Sequence, residues 1–234
     1  MAMITDLADK KIKKTGADAH YIIKNHGQGR LFENENLEKL TKSSPIVIFS
    51  IYIPLIAGML YYGVGYKDLS VARAIVLFFA GMIFWSFFEY LMHRYIFHFI
   101  TDNPRLMKII YKFHGVHHEY PRDKERLFMP PIPSLIIATI LFSLAYLALG
   151  WQSLAFFPGF IFGYLLYGSI HYAIHAFPPP RGLKALWRNH HLHHYKYPDR
   201  GFGVSSVLWD VIFRTVPKEE KKRKTGTVQL RHPS

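Results

Sequence analysis

Four long apolar runs constrain what this chain can fold into more than any other feature. They cover residues 45–63, 71–88, 134–149 and 154–170. A helix needs roughly 20 apolar residues to cross the hydrocarbon core of a bilayer, and a backbone inside that core must satisfy its own hydrogen bonds. The sequence therefore predicts an all-α integral membrane protein with four transmembrane helices. The last two runs are short, so a pair that dips into the bilayer and returns is the alternative.

The basic residues are distributed unevenly between these runs. The formal net charge is +13, and every Lys and Arg except Lys67 and Arg73 falls in three segments: the N-terminal arm, residues 94–130 and the C-terminal segment. Four crossings place these segments on one side, which the positive-inside rule makes cytosolic. Nucleic-acid binding is the other interpretation of a basic chain, but the apolar runs favour a multi-pass membrane protein. Both an endoplasmic reticulum membrane and a bacterial inner membrane are compatible with the sequence.

Polar segments flank a single predicted domain. We expect residues 1–43 to form a cytosolic N-terminal arm with a short interfacial helix within 31–41, residues 44–216 to form the membrane domain, and residues 217–234 to form a basic flexible tail. The first 43 residues contain no apolar segment of the kind that cleavable signal peptides carry. The chain has no Cys, which excludes disulfides, thiolate metal sites and a Cys nucleophile.

Ten histidines follow the apolar runs on the side predicted to be cytosolic. They form two groups with the spacing H-x-x-H-H and two pairs: His114, His117 and His118; His190, His193 and His194; His93 and His98; His171 and His175. Positions i, i+3 and i+4 of a helix share a face, so each group of three is predicted to point its imidazoles the same way. His93 and His98 are five positions apart. They converge only if the helix ends or distorts between them, or if they approach the metal from different sides.

The number of imidazoles indicates a metal site with two ions. Ten ligands overfill one ion, and structural zinc usually takes four. Carboxylate-type di-iron bundles use Glu-x-x-His pairs, which this chain lacks. We therefore predict an all-histidine dinuclear centre in a cytosolic helical cap. Imidazole suits Fe, Zn, Cu and Ni, so the ligand type alone does not choose the metal.

Other polar residues near the histidines receive smaller roles. His191 would point away from the cluster face, so we treat it as a neighbour of the ligands or a surface residue. His20, His26 and His232 lie in the arms without partners at ligand spacing. Ligating histidines need an acceptor for their other ring nitrogen. The candidate acceptors are the carboxylates of Glu89, Glu119, Asp123, Asp199 and Asp210.

These residues and their surroundings resemble the fatty acid 2-hydroxylases, within the wider fatty acid hydroxylase and sterol desaturase superfamily. The similarity extends from Leu31 to about Val216 and is strongest in residues 85–98, 114–131, 167–175 and 190–213. Histidine boxes alone are typical of the whole superfamily. The contexts Arg-Leu-x-Met-Pro-Pro, which begins at Arg126, and Gly-Phe-Gly-Val-Ser-Ser, which begins at Gly201, indicate the 2-hydroxylase branch.

The resemblance implies a di-iron monooxygenase that uses O2 to hydroxylate C2 of long-chain fatty acids or of the acyl chains of sphingolipids such as ceramide. It carries the metal ligands of the family over to all ten histidines, and zinc can occupy such a site in purified protein. The arm is too short for the cytochrome b5 domain of many fungal and animal members and lacks its His-Pro-Gly-Gly motif. We therefore expect a separate electron donor, such as cytochrome b5 or a ferredoxin with its reductase.

Three other functions remain open at this point. The first is another lipid oxidation of the same superfamily: sterol oxidation, acyl desaturation or carotenoid hydroxylation. The second is a membrane metal transporter or sensor, although transport sites usually lie near the middle of the membrane and these histidines lie beyond the apolar runs. The third is a zinc hydrolase, which needs an open metal position and a general base; saturation with ten imidazoles argues against it.

Overall fold

The protein is built from nine α-helices within residues 21–218, the part of the chain that the computed structural model describes. They are α1 (Glu35–Lys39), α2 (Pro45–Tyr66), α3 (Val71–Leu91), α4 (Pro104–Ile110), α5 (Val116–Glu119), α6 (Pro131–Leu149), α7 (Ser153–Ala176), α8 (Lys184–Tyr195) and α9 (Leu208–Ile212). This part of the chain contains no β-strand. The all-helical prediction is confirmed, whereas the outer arm (1–20) and most of the predicted tail (219–234) lie outside the described residues.

Three stretches among the described residues are long and apolar enough to cross a membrane: Pro45–Tyr66, Val71–Phe97 and Lys124–Ala176. The last contains both α6 and α7, which are joined by a 3-10 turn at Gly150–Gln152. Gly150 has a φ of 56°, a left-handed conformation that glycine adopts readily. Phe142 of α6 lies beside Phe157 of α7, with ring centroids 5.4 Å apart, so the two helices form an antiparallel hairpin.

The starts of these helices follow from local sequence. The side-chain oxygens of Ser44 and Ser70 accept hydrogen bonds from the first turns of α2 and α3. The helix α6 begins at Pro131, earlier than the run starting at residue 134 that we predicted after a proline break. Proline in the first turn removes no intrahelical hydrogen bond, and its fixed φ suits that position, so Pro131 starts the helix instead of preceding it.

Close packing of α3 against α7 forms the centre of the apolar body. A methyl group on Gly81 would collide with the backbone of Phe156, and one on Gly159 would collide with the backbone of Phe78. Small residues allow this approach, which drives helix association where lipid surrounds the protein. Large apolar side chains such as Ile83 and Leu147 are exposed on the outside, as expected of a surface in contact with lipid tails.

The histidine-bearing ends of α3 and α7 meet the starts of α2 and α6 at one end of the body. Short elements cover this end: a π-helix at Met92–Phe97, α4, a second π-helix at Tyr111–Gly115, α5, a 3-10 turn at Lys124–Arg126, α8 and α9. We call this layer, residues 92–130 and 177–218, the cap. The backbone N–H of Ser43 donates to the carbonyl of Glu125 at 2.9 Å, which joins the start of α2 to the cap.

The described part of the N-terminal arm, residues 21–43, packs against the cap. The Arg126 guanidinium donates to the carbonyl of Gly29, at 2.8 and 3.1 Å from two of its nitrogens, and also pairs with the buried carboxylate of Glu38. Glu38 in turn accepts from the N–H groups of Leu31 and Phe32, both at 2.9 Å. The helix expected within 31–41 is confined to the five residues of α1, because the preceding residues bond to Glu38 instead.

Candidate metal centre

A turn of π-helix brings His93 and His98 together. The segment Met92–Phe97 continues α3 with i→i+5 hydrogen bonding, and the N–H of His98 donates to the carbonyl of His93 at 3.2 Å. A π-turn widens the helix, so residues five apart stack above one another. The two ring centroids lie 5.1 Å apart. The pair therefore converges through a distortion of the helix, one of the arrangements that the spacing left open.

The ten predicted histidines form two clusters of five. Each ring contributes one nitrogen to its cluster, and these five nitrogens all lie within 4.8 Å of one another. We call them cluster A and cluster B. Cluster A consists of His93, His98, His114, His118 and His193. Cluster B consists of His117, His171, His175, His190 and His194. The clusters are neighbours, since the stacked rings of His118 and His194 have centroids 4.2 Å apart.

Each H-x-x-H-H group divides between the two clusters. The first and last histidines of a group, at i and i+4, belong to one cluster, and the histidine at i+3 belongs to the other. His117 thus leaves its group to join cluster B, and His193 leaves its group to join cluster A. Our prediction that all three imidazoles of a group point the same way is wrong in this respect. The two groups interlock, which ties the clusters together.

Several Nε2 atoms within each cluster lie at hydrogen-bond distance from one another, in more pairs than their protons can serve. In cluster A, Nε2 of His114 lies 3.1 Å from that of His93 and 2.9 Å from that of His118. In cluster B, Nε2 of His190 lies 2.9 Å from that of His175 and 3.0 Å from that of His194. One nitrogen carries at most one proton, so His114 and His190 cannot donate to both neighbours.

Further ring nitrogens in the clusters are buried without any partner. Among the described residues, Nε2 of His98 and Nε2 of His193 have no hydrogen-bond partner. Buried polar atoms are almost always satisfied, so converging imidazoles with orphaned nitrogens fit a cation that receives their lone pairs. Imidazole is a common ligand of Zn, Fe, Cu and Ni. The two clusters fit one metal ion each.

Burial keeps the imidazoles of the cap in the form that binds metal. It lowers the pKa of His114, His118, His190, His193 and His194 well below the usual value, and neighbouring histidines lower it further. A protonated imidazole would carry an unpaired charge into this low-dielectric layer. The rings are therefore neutral at physiological pH, as metal binding requires.

Backbone carbonyls, and not carboxylates, accept hydrogen bonds from two rings of the clusters. Nδ1 of His93 donates to the carbonyl of Phe202 at 2.6 Å, and Nδ1 of His193 donates to the carbonyl of Arg200 at 2.8 Å. Both rings belong to cluster A. No hydrogen bond links any of the five predicted acceptor carboxylates to a ring of either cluster in the described structure. That prediction is wrong for a physical reason: a loop carbonyl can approach a buried ring without introducing a charge.

Two of those carboxylates instead hold the loop that supplies the carbonyls. Asp210 accepts from the N–H groups of Phe202 and Gly203 at 3.0 and 2.8 Å. Glu89 accepts from the N–H groups of Val204 and Ser205 at 2.7 and 3.0 Å. We call residues 200–205 the acceptor loop. Sequence reasoning missed it, although its Gly-Phe-Gly context was the available signal.

The remaining three carboxylates contact residues outside the two clusters. Glu119 accepts from Lys24 at 2.7 Å and from the Tyr111 hydroxyl at 2.6 Å. Asp123 accepts from the N–H of Gly29 at 2.9 Å. Asp199 is exposed and lies 3.9 Å from Arg200. His191 is also exposed and belongs to neither cluster, and its Nδ1 donates to the carbonyl of Trp187 at 2.7 Å.

An apolar cavity of about 410 Å³ opens onto both clusters. His93 and His114 of cluster A and His117 and His171 of cluster B line one end. Phe157 of α7 lines the other end. Fourteen residues of α7 separate His171 from Phe157, which is about 21 Å at the rise of an α-helix. The cavity is therefore elongated along α7, and its apolar walls suit an extended apolar chain.

The comparisons with known proteins agree with this geometry. The family model described as fatty acid hydroxylase matches residues 78–215, which contain all ten histidines. A dihydroceramide fatty acyl 2-hydroxylase of Arabidopsis thaliana is 32% identical over 198 residues, 83% of each chain. A ceramide very long chain fatty acid hydroxylase of Schizosaccharomyces pombe is 37% identical over 202 residues, 84% of this chain and 56% of the relative.

Two further matches extend the comparison. The fatty acid 2-hydroxylase of Mus musculus is 33% identical over 213 residues, 82% of this chain and 57% of the relative. This chain therefore spans little more than half the length of these fungal and mammalian relatives. A solved structure of full-length scs7p, in which only the hydroxylase domain is visible, superposes with a TM-score of 0.76 at 32% identity and covers 93% of this chain and 81% of that one. The chain belongs to the fatty acid hydroxylase family of oxidoreductases, as its histidine boxes and their contexts predict.

Proposed function

We propose that the protein hydroxylates C2 of long-chain fatty acids or of the acyl chains of sphingolipids, using O2 and two iron ions held by the ten histidines of clusters A and B. The observation that carries the proposal is the long apolar cavity that ends on imidazoles of both clusters. A chain bound there has its reacting carbon beside the metal centre. Zinc can replace iron at the same imidazoles during purification.

The apolar walls of the cavity favour an acyl chain, because binding buries its methylene groups away from water. Each methylene transferred from water to such walls contributes about 0.8 kcal/mol, and the walls include Trp85, Phe88 and Phe160. Thr41 and Lys112 line the cap end, where a carboxyl or amide head can remain near water. A lipid that enters tail first therefore presents its first carbons to His93, His114, His117 and His171.

The chemistry divides between the metal ions and the protein. Oxidation of the C–H bond at C2 of a saturated chain lies beyond side-chain acid–base chemistry, and two iron ions held by the ten histidines would supply it together with O2. One oxygen atom of O2 enters the C–H bond, and the other leaves as water with two protons and two electrons. The protein holds the metal ligands, fixes the rings of His93 and His193 through the acceptor loop, and excludes water with aromatic walls. The electrons come from a separate donor such as cytochrome b5 or a ferredoxin with its reductase.

We infer four membrane segments, α2, α3, α6 and α7, with the cap and its metal centre on the cytosolic side. The hairpin of α6 and α7 returns the chain to the end at which it started, which supports this count. The Lys and Arg residues concentrate at the same end, as cytosolic segments require. The membrane is that of the endoplasmic reticulum or the bacterial inner membrane.

The alternatives have less support. The relatives named above are fatty acyl or ceramide hydroxylases, which favours an acyl chain over a sterol or a carotenoid as the substrate. A transporter would hold its metal near the middle of the membrane, between helices. The clusters instead lie at the helix ends and involve every histidine of both H-x-x-H-H groups. A zinc hydrolase would keep a metal position open for water, whereas five imidazoles converge in each cluster.

Lipid analysis of expressing cells tests the proposal. Cells that lack 2-hydroxy lipids and are supplied with iron should accumulate 2-hydroxy fatty acids when they express the protein, measured by mass spectrometry after hydrolysis of total lipid. His193→Ala removes a ring of cluster A and should abolish the product. His191→Ala, a change in the adjacent but exposed ring outside both clusters, should retain most of it.

Three results would contradict the proposal in whole or in part. A wild-type amount of 2-hydroxy fatty acid from His193→Ala would show that this ring of cluster A is not needed for the reaction. Oxidised sterols, carotenoids or unsaturated chains in place of 2-hydroxy acids would retain the metal centre and change the reaction. A null result in cells is resolved with purified, iron-loaded protein, acyl substrate and an added electron carrier with its reductase, where absence of product rejects the hydroxylase function.

A further inference from the structure

A second cavity reaches the metal centre from the side of the N-terminal arm. It has a volume of about 290 Å³. His98 and His118 of cluster A and His194 of cluster B contribute to its wall. Within the described residues it shares no lining residue with the apolar cavity, which reaches the centre at His93, His114, His117 and His171. The two cavities therefore approach different histidines of the same two clusters.

The walls of the second cavity are more polar than those of the first. Besides the three imidazoles they include the side chains of Tyr195 and Lys196, both exposed at the end of α8. Nδ1 of His194 is buried and has no hydrogen-bond partner among the described residues. A buried nitrogen of this kind is commonly satisfied by an ordered water molecule. The second cavity is thus suited to water, in contrast to the first.

The second cavity is a defined gap between two segments that are bonded together. Tyr21 and Ile23 of the arm line one side, and the end of α8 lines the other. The Tyr195 hydroxyl donates to the side-chain oxygen of Asn25 at 2.6 Å and joins the two sides. The Lys24 ammonium lies 2.7 Å from the carboxylate of Glu119 and fixes the arm to α5. The opening between the two segments is therefore held at a fixed width.

We propose that this polar cavity is the passage for water, protons and other small polar species between the cytosolic solvent and the metal centre. The inference rests on the proposed hydroxylation, because each turnover consumes two protons and releases one water molecule. The apolar cavity cannot serve as the route while an acyl chain fills it. The polar cavity contacts both clusters and remains open when the lipid is bound.

Single-cysteine variants test the passage without background, because the natural chain has no Cys. A charged, water-soluble thiol reagent should modify Ile23→Cys in the polar cavity. The same reagent should modify the exposed Ile22→Cys and should not modify Ala138→Cys, which lines the apolar cavity. These labelling reactions need no bound metal, lipid or electron donor, so they report on the cavity alone.

The route itself is measured with azide, a small polar anion whose binding to iron changes the visible absorbance. Modification of Ile23→Cys in iron-loaded full-length protein should slow azide association by about tenfold or more, whereas modification of Ile22→Cys should change it by less than about twofold. Each sample is compared before and after modification, so folding and iron content are the same in both measurements. Tyr195→Ala, which widens the mouth, should accelerate association.

Three results would overturn the passage. The first is an unchanged azide rate after modification of Ile23→Cys. The second is failure of the reagent to reach Ile23→Cys while it labels Ile22→Cys. The third is an azide rate that Tyr195→Ala leaves unchanged. None of these depends on lipid turnover. Failure of the proposed function is recognised separately, by iron-loaded protein that binds azide and forms no 2-hydroxy acid.

Discussion

At the scale of single residues, the histidines depend on a short loop that the metal would not touch. The acceptor loop supplies carbonyl oxygens to His93 and His193, and two glycines shape it. Gly201 has a φ of 74°, and a side chain at Gly203 would collide with the backbone of Ser206 and with Asp210. The Gly-Phe-Gly sequence is thus explained by backbone geometry: it lets the loop turn tightly and approach the Asp210 carboxylate.

Asp210→Asn tests the loop. The carboxylate accepts the N–H of Phe202 on one oxygen and the N–H of Gly203 on the other, and an amide retains only one of these acceptors. The loop carbonyls should then lose their alignment with His93 and His193. We expect metal affinity to fall by roughly 10–100-fold, the usual effect of removing an orienting partner, measured by competition with a chelator. The exposed Asp199→Asn should leave the affinity unchanged, and equal losses in both variants would contradict the role of the loop.

The ten histidines that the structure brings together were identified from the sequence, but their division into two clusters of five was not. Successive helix positions differ by about 100°, so i+3 and i+4 lie on opposite sides of the direction of residue i. When residue i faces the space between the two clusters, the side chains at i+3 and i+4 point toward different clusters. His117 therefore lies in cluster B and His118 in cluster A. The carbonyls that orient the rings were not predictable either. Every residue has a backbone carbonyl, and the Phe202 side chain gives no sign that its own carbonyl contacts His93.

At the scale of elements, the regular α-helical geometry changes to π-helix at two segments that carry clustered histidines. The long helices were predictable because continuous apolar runs have few alternatives in a membrane. The π-helices at Met92–Phe97 and Tyr111–Gly115 were not. Such turns are unfavourable in isolation, appear at functional sites and are stabilised by tertiary contacts. The spacing of His93 and His98 indicated that a helix distortion would let the two rings converge, but it did not identify that distortion as a π-helix.

Gly159→Ala tests the packing of α3 against α7. The added methyl group meets the backbone of Phe78, which cannot move aside as a side chain would. Overpacking of this kind costs about 1–3 kcal/mol, so we expect the melting temperature in detergent to fall by several degrees, at about 2–4 °C per kcal/mol for a chain of this size. Gly58→Ala in α2 meets open space and should be neutral or slightly stabilising. Equal melting temperatures for the two variants would contradict this close approach.

At the scale of the whole molecule, the apolar body and the cap together form one elongated cavity. The body supplies its depth along α7 and also His171, and the cap supplies His93, His114 and His117 at the end nearer the cap. The sequence did not identify the residues that line it, because apolar residues of the transmembrane helices face the cavity, the core and the lipid with the same chemistry. Only the packing of α3, α6 and α7 distinguishes Phe157, which is buried, from Phe79, which is exposed.

Phe157→Leu tests whether the depth of the cavity limits chain length. The Phe157 ring lies at the end farthest from the histidines, and a shorter side chain should extend the space available to the end of the acyl tail. With an equimolar mixture of acyl chains, the 2-hydroxy products should shift toward longer chains by mass spectrometry. Phe79→Leu, on the exposed face of α3, should leave the distribution unchanged. A distribution that neither variant alters would show that another part of the protein limits length.

The most direct test of the central claim is the number of metal ions per chain. Protein purified from iron-supplied cells should contain two ions per chain by elemental analysis, counting iron and zinc together. The double variant His93→Ala/His98→Ala should lose the ion of cluster A, and His171→Ala/His175→Ala should lose that of cluster B, so each retains about one. A wild-type content of one ion or none, or two ions in both double variants, would contradict a dinuclear centre built from these ten histidines.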